Sequence, residues 1–358
     1  MWKSLKDRAE GVKEMKRMKT TEAVGQVLCH DITQIIPGVT KDAVFRKGHI
    51  IREEDIPVLL SVGKDSVYIW ENDETMMHEN DAAEVLYRMT ANEHMHPSDV
   101  KEGKIEVIAD TEGLLKVDRE KLKKVNAFGE MMIATRHGNT VVKKGDKLAG
   151  TRIIPLVIKK DKMQEAEKIC DGTPILKILP FTVKKAAIIT TGNEVYHGRI
   201  KDAFTPVIEQ KIAEFGAEMM FHEIFDDNDR KITDGCLRAI EAGADIVFCT
   251  GGMSVDPDDK TPLAIKNIGA EMISYGSPVL PGAMFLLSYY RKGDKVIPIC
   301  GLPGCAMYNR RTIFDLVLPR LMAADPVTAD ELASLGEGGL CLNCKVCTFP
   351  NCGFGKGW

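Results

Sequence analysis

Two glycine turns about sixty residues apart hold the side chains best suited to chemistry. One is Thr190-Thr191-Gly192-Asn193-Glu194. The other is Thr250-Gly251-Gly252-Met253-Ser254-Val255, which runs into Asp256-Pro257-Asp258-Asp259. Each follows an apolar run of strand type, Ala186–Ile189 and Asp245–Cys249. Loops leaving the carboxyl ends of parallel strands build ligand sites. Glycine lets the backbone approach a ligand, and free N–H groups favour anions. Carboxylates beside such turns suit a hard cation held together with a substrate phosphate. The plainer role of one such Asp is helix capping, although three acids beside a double glycine exceed what a cap needs. The first turn lacks G-x-G-x-x-G spacing, so no dinucleotide fingerprint is present.

Three further segments sit at expected strand ends. In Asp226-Asp227-Asn228-Asp229, Asp229 is the expected N-cap of a helix, which leaves Asp226 free for another role. Gly301-Leu302-Pro303-Gly304 and Ser277-Pro278-Val279-Leu280-Pro281-Gly282 are the other two candidate ligand loops.

The elements that would position these loops follow from periodicity. From Lys184 onward strands alternate with helices, which predicts an α/β fold with a three-layer, parallel-type sheet flanked by helices. Strands are expected at 186–190, 217–222, 245–249, 271–275, 285–289 and 295–299. Helices are expected at 205–215, 229–241, 260–268 and 306–321. The preceding region is β-rich α+β. It has a hairpin over 43–51, helices over 52–62, 80–93 and 116–125, a Pro37-Gly38 turn, and strands at 67–70 and within 103–160. The expected divisions are a basic arm at 1–19, a β-rich region at 20–180, an α/β domain at 184–325 and a Cys-rich tail at 336–358.

The chain has 358 residues, is 44% hydrophobic and 28% charged, and can bury ordinary cores. A net charge of −4 argues against a nucleic-acid partner. Without a secretory h-region or an apolar run of membrane-spanning length, a cytoplasmic protein is expected. Of ten Cys, six are scattered through apolar segments and read as buried free thiols. The other four form Cys341-x2-Cys344-x2-Cys347-x4-Cys352. This run resembles a ferredoxin-type run with one extra residue before the last Cys. It can ligate a [4Fe–4S] cluster or a Zn2+ ion, and free or redox-active thiols are the third reading.

Taken together the loops resemble the molybdopterin-binding domains of molybdenum cofactor biosynthesis, above all the enzyme that inserts molybdate into molybdopterin. The matching residues are Thr191-Gly192-Asn193-Glu194, Asp226-Asp227, Gly251-Gly252-Met253-Ser254-Val255 with Asp259, and Leu302-Pro303-Gly304. The resemblance covers about residues 184–325. It implies that Glu194, Asp226 and Asp259 are the acidic site residues, handling Mg2+ and molybdate. It implies that Thr191, Gly192, Asn193, Thr250, Gly251, Gly252, Ser254, Pro281, Gly282, Leu302, Pro303 and Gly304 hold the pterin and its phosphate. The implied activity is that of a transferase acting on adenylylated molybdopterin, with a non-catalytic pterin-binding chaperone or a redox or metal sensor as the alternative. Implied partners are pterin and molybdate, a second copy in a homodimer, and molybdoenzymes or cofactor-assembly proteins. The chain departs from the family pattern where Ser277–Gly282 replaces a Lys-bearing P-G-K-P loop and where Cys305 stands for an Asn. Lys201-Asp202-Ala203-Phe204 also lacks the Asn usual after the first loop.

Overall fold

A computed structural model describes residues 16–36, 40–69 and 73–357. Most of the basic arm, the Pro37-Gly38 turn and Trp70 lie outside the described residues.

Residues 17–69 close around Ala23, Leu28, Ile32, Ile51, Leu59 and Val67. The hairpin here pairs Ile32–Ile36 with Thr40–Phe45, rather than folding within 43–51. The amide of Gly48 donates to the Leu28 carbonyl at 2.8 Å, and Ile50 bridges Val27, so residues 46–51 turn back toward 27–28. Residues 76–179 form a second core around Leu86, Val107, Leu115, Ile133, Leu148 and Ile178. A four-stranded and a three-stranded antiparallel sheet build it, with helices at Glu79–Thr90, Arg119–Ala127 and Lys160–Cys170. The last helix was not expected from the sequence. It buries only Met163, Ala166 and Cys170 among eleven residues, so its apolar stripe is thin.

The α/β unit contains β1 (Lys185–Thr191), α1 (Asn193–Tyr196), α2 (Phe204–Ala213), β2 (Glu218–Phe225), α3 (Asp229–Glu241), β3 (Ile246–Thr250), α4 (Thr261–Asn267), β4 (Glu271–Tyr275), β5 (Leu286–Lys292), β6 (Lys295–Leu302), α5 (Ile313–Met322) and α6 (Ala329–Ser334). The six-stranded sheet has the order β2-β1-β3-β6-β5-β4. Alternate residues of β1 serve opposite faces. Ala186 and Ile188 pack with Ile208 of α2 and Phe314 of α5. Ala187 and Ile189 pack with Ile232 of α3 and Ile265 of α4. Burial on both faces is why these strands appear as unbroken apolar runs.

The expected α/β sheet flanked by helices is present, with one refinement and one correction. The sheet is mixed: β2, β1, β3 and β6 are parallel, whereas β5 runs antiparallel to β6 and β4 antiparallel to β5. Only Gly293 and Asp294 join β5 to β6, and so short a link can connect only antiparallel strands. In addition, the helix expected at 306–321 begins at Ile313. Thr312 caps it, accepting from the Phe314 amide at 3.2 Å, while Asp315 accepts from the Thr312 amide at 2.8 Å. Residues 304–309 form a short 3-10 turn and loop instead, which leaves Tyr308 exposed at the strand ends.

The Cys-rich segment is docked on this unit. The Leu280 amide donates to Gly339 and the Cys341 amide to Leu280, each at 2.8 Å. Phe354 is buried in the core shared with α2 and α5, with Cys341, Phe349 and Cys352 packed against it. Burying a Phe side chain contributes about 2 kcal/mol. Among the described residues no helix is long and apolar enough to cross a membrane.

Candidate functional site

The two glycine turns lie side by side because β1 and β3 are neighbours, with Thr190 in register with Thr250. The chain leaves β1 for α2 on one face and β3 for α4 on the other, so the strand ends form a topological switch point. Gly251 has φ +81°, and a Cβ there would lie 2.1 Å from the Thr191 carbonyl oxygen. The first turn therefore demands a glycine in the second. The Thr191 hydroxyl donates to the Thr250 carbonyl at 3.1 Å and bonds the Thr261 hydroxyl at 2.9 Å. From β4, the Tyr275 hydroxyl donates to the carbonyls of Met253 at 3.0 Å and Ser254 at 3.3 Å. The second loop is thus fixed from both sides, while Val255 at its tip is 84% exposed.

The carboxylates converge differently from the sequence expectation. Asp226 is not free: it accepts from Lys231 Nζ at 2.8 Å, and its Oδ1 is buried without a partner. Asp227 faces the first turn and accepts from the Asn193 amide at 3.1 Å. Burial raises the Asp227 carboxyl above its ordinary value. The Asn193 N–H opposes this, and the charges of Glu194, Asp259 and Asp258 add to the rise. These four acids therefore share one field. The Glu194 carboxylate lies over Gly192, 3.0 Å from where a Cβ would stand. Asn228, rather than Asp229, caps α3 by accepting from the Lys231 amide at 3.2 Å.

Sequence reading did not name Asp202 as a site residue. Its Oδ1 accepts from the amides of Phe204 at 2.8 Å and Thr205 at 3.1 Å, at the start of α2. Its Oδ2 accepts from the hydroxyls of Thr205 at 2.6 Å and Thr190 at 2.9 Å, with His222 Nε2 at 3.5 Å. Burial alone would raise its carboxyl, but these hydrogen bonds outweigh burial and hold it below the ordinary value. The available signal was its place one loop after Glu194.

A cleft of about 630 Å³ opens beside the second turn. Gly251, Gly252, Ser254, Asp259, Pro281, Gly282, Pro303 and Gly304 line it, together with Cys305, Tyr308 and Asn309. Thr191, Gly192, Asn193, Glu194, Asp226, Thr250 and Leu302 do not line it. Asp259 is its only charged lining residue among the described residues. Gly282 owes its identity to packing, since a Cβ there would meet Ile313 Cγ2 at 2.3 Å. The Thr250 hydroxyl, at the end of β3, is buried with no hydrogen-bond partner among the described residues. Burial pushes the Cys305 thiol up.

A second cavity, of about 530 Å³, is lined by all four cysteines of the tail. Arg310, Arg311, Tyr308, Asn309 and Phe349 share its walls. The Arg311 guanidinium stacks 4.8 Å from the Phe349 ring centroid and donates to Asp315 at 2.8 Å. A hydrogen bond from the Phe349 amide holds the Cys347 thiol below its ordinary value, and Arg311 acts in the same direction. Among the described residues, no three His, Cys, Asp or Glu side chains are gathered as ligands of a metal ion, here or at the acidic loops. Of the six scattered thiols, Cys29, Cys170, Cys236, Cys249 and Cys300 are buried and Cys305 is half-buried.

Residues 187–323 match a family model described as a probable molybdopterin binding domain, and residues 17–71 match one described as a domain of unknown function. The resemblance drawn from the loops therefore holds over the α/β unit. A "Putative competence-damage inducible protein" of Bacillus cereus is 30% identical over 129 residues, covering 36% of this chain and 30% of that protein. The chain thus spans less than a third of that relative's length. The tungsten cofactor synthesizing protein MoaB of Pyrococcus furiosus is 20% identical, with a TM-score of 0.32, over 39% of this chain and 89% of that one. The molybdopterin biosynthesis enzyme MoaB of Thermus thermophilus is 21% identical, with a TM-score of 0.31, over 40% of this chain and 98% of that one.

Proposed function

We propose that the α/β unit, residues 184–325, binds an adenylylated molybdopterin in the cleft beside Gly251-Gly252 and assists Mg2+-dependent insertion of molybdate. The observation carrying this reading is the convergence of three loops on one cleft at the switch point, with an acidic group at its edge. The loops at 251–254, 281–282 and 303–304 would hold the pterin and its phosphate, chiefly through backbone N–H groups. Glu194, Asp259 and Asp227 would hold the cation, with Asp226 positioned by Lys231 behind them. A bound Mg2+ would neutralise phosphate and oxyanion charge that these acids otherwise repel. Mg2+ keeps several waters and takes one or two carboxylates plus substrate phosphate, so the acidic loops need not form a closed cage beforehand. Thr191 and Thr261 keep the two turns in register, so that both offer their backbone to one ligand.

A second reading, a pterin carrier or sensor without turnover, is favoured by one feature. Among the described residues the cleft has no cationic lining residue to stabilise a departing phosphate, since the expected Lys loop is Ser277–Gly282. Asp259→Asn separates the two. Loss of molybdate insertion with pterin binding retained supports catalysis. No insertion by the parent protein, with pterin bound, supports the carrier. Failure of adenylylated molybdopterin to bind either protein, with or without Mg2+, removes both.

A further inference from the structure

We propose that Cys341, Cys344, Cys347 and Cys352 hold one [4Fe–4S] cluster in the cavity they line, against the outer wall of the pterin cleft. The inference does not rest on the pterin reading.

Four observations carry it. The spacing supplies three thiols at x2 intervals and a fourth after x4. All four cysteines border one cavity of about 530 Å³, although they span twelve residues of irregular chain. The segment is held in place before any guest arrives. Gly355 donates to Gly338 at 3.0 Å, Arg310 to the Lys345 carbonyl at 3.1 Å, and Phe354 is buried. Finally, the surroundings favour an anion. Four thiolates on an oxidised cluster carry a net charge of about −2. Arg310 and Arg311 line the cavity, and among the described residues the buried Arg311 Nε–H has no acceptor.

The x2 spacing of the first three cysteines is what favours a cluster over a single ion. The position has a consequence as well. Tyr308 and Asn309 line both this cavity and the cleft, and the Cys341 amide is bonded to Leu280, a cleft residue. A loaded cluster would therefore stiffen the cleft wall.

The test uses the full chain, purified without oxygen and incubated with ferrous iron, sulfide and a thiol reductant, with no pterin present. About four iron and four labile sulfides per chain, with a broad visible band, are expected. Cys344 is exposed, so Cys344→Ser should leave the unloaded fold intact by circular dichroism while lowering iron uptake severalfold. One zinc per chain that excludes iron, or uptake unchanged in Cys344→Ser, overturns the proposal. Hydrogen exchange at 279–284 and 304–309 should slow on loading, and unchanged exchange there would remove the link to the cleft.

Discussion

At the scale of single residues, the acid that reaches the first turn is Asp227, and its cost to the fold is open to measurement. Its folded carboxyl sits above 3.8 because burial and the neighbouring acids disfavour its charge. As pH rises through the window between 3.8 and the folded value, the unfolded chain loses its proton first, so stability falls across that window. Asp227→Asn keeps an acceptor for the Asn193 amide and removes the repulsion. It should therefore unfold at higher urea than the parent at pH 7, with no gain below pH 3.8, while Mg2+-dependent ligand binding weakens. A residue that costs stability and supports binding is what a built cation site predicts. Asp202 has the opposite sign. Its folded carboxyl is depressed, so its stabilisation is present above 3.8 and lost as pH falls through the folded value. Asp202→Ala should cost about 2 kcal/mol at pH 7, chiefly from the lost helix-start bonds, since the Thr190 and Thr205 hydroxyls keep each other and His222 as partners. That deficit should shrink in acid, as followed by urea titrations at several pH values. The sequence showed that acids follow β2, but not which of two adjacent Asp would be claimed by Lys231. That choice depends on the direction in which α3 leaves the sheet.

At the scale of elements, the parallel part of the sheet was legible because strands buried on both faces are continuous apolar runs bounded by glycine turns. The antiparallel edge was legible in principle, since Lys292-Gly293-Asp294-Lys295 is a two-residue hairpin link. The late start of α5 was not. Ala306 and Met307 suit a helix by propensity, and only the Thr312–Asp315 capping box fixes the start at Ile313. The helix at 160–170 escaped notice because so few of its residues are buried. The glycines of the cleft divide by role, and substitution should expose the division. Gly251→Ala forces a side chain into positive φ and against the Thr191 carbonyl, and should cost about 2 kcal/mol or more in thermal or urea unfolding. Gly304 has open space around its missing Cβ and no left-handed φ. Gly304→Ala should change stability by under about 0.5 kcal/mol, and any loss of pterin affinity in it would report direct approach of that loop to the ligand.

At the scale of the whole molecule, the β-rich half meets the α/β unit through contacts that sequence reading does not reach. Lys116 donates to Asp325 at 2.7 Å across 209 positions of chain, Arg119 reaches the Gly357 carbonyl at 3.4 Å, and Val141 packs against the core shared with α5. Asp325 also receives Arg320 Nε, whose guanidinium bonds Glu331 at 2.8 Å and the Pro326 carbonyl at 2.6 Å. Arg320 is 6% exposed, so its charge depends on these acceptors. The two ends of the inter-unit ion pair are therefore unequal. Lys116→Ala leaves Asp325 with Arg320 and removes one half-exposed contact, which should cost under about 1 kcal/mol. Asp325→Ala removes the partner shared by both halves and leaves a buried guanidinium with two of its three acceptors. A cost of about 2–3 kcal/mol is expected, below that of fully breaking a buried pair. Urea unfolding of the two variants checks the asymmetry. Equal losses would mean that the inter-unit bond, rather than the satisfaction of Arg320, is what Asp325 contributes. The larger loss in Asp325→Ala should also reach the tail, since Glu331 caps α6 immediately before the glycine segment that leads to Cys341. Hydrogen exchange at 336–355 should then quicken in Asp325→Ala and remain unchanged in Lys116→Ala.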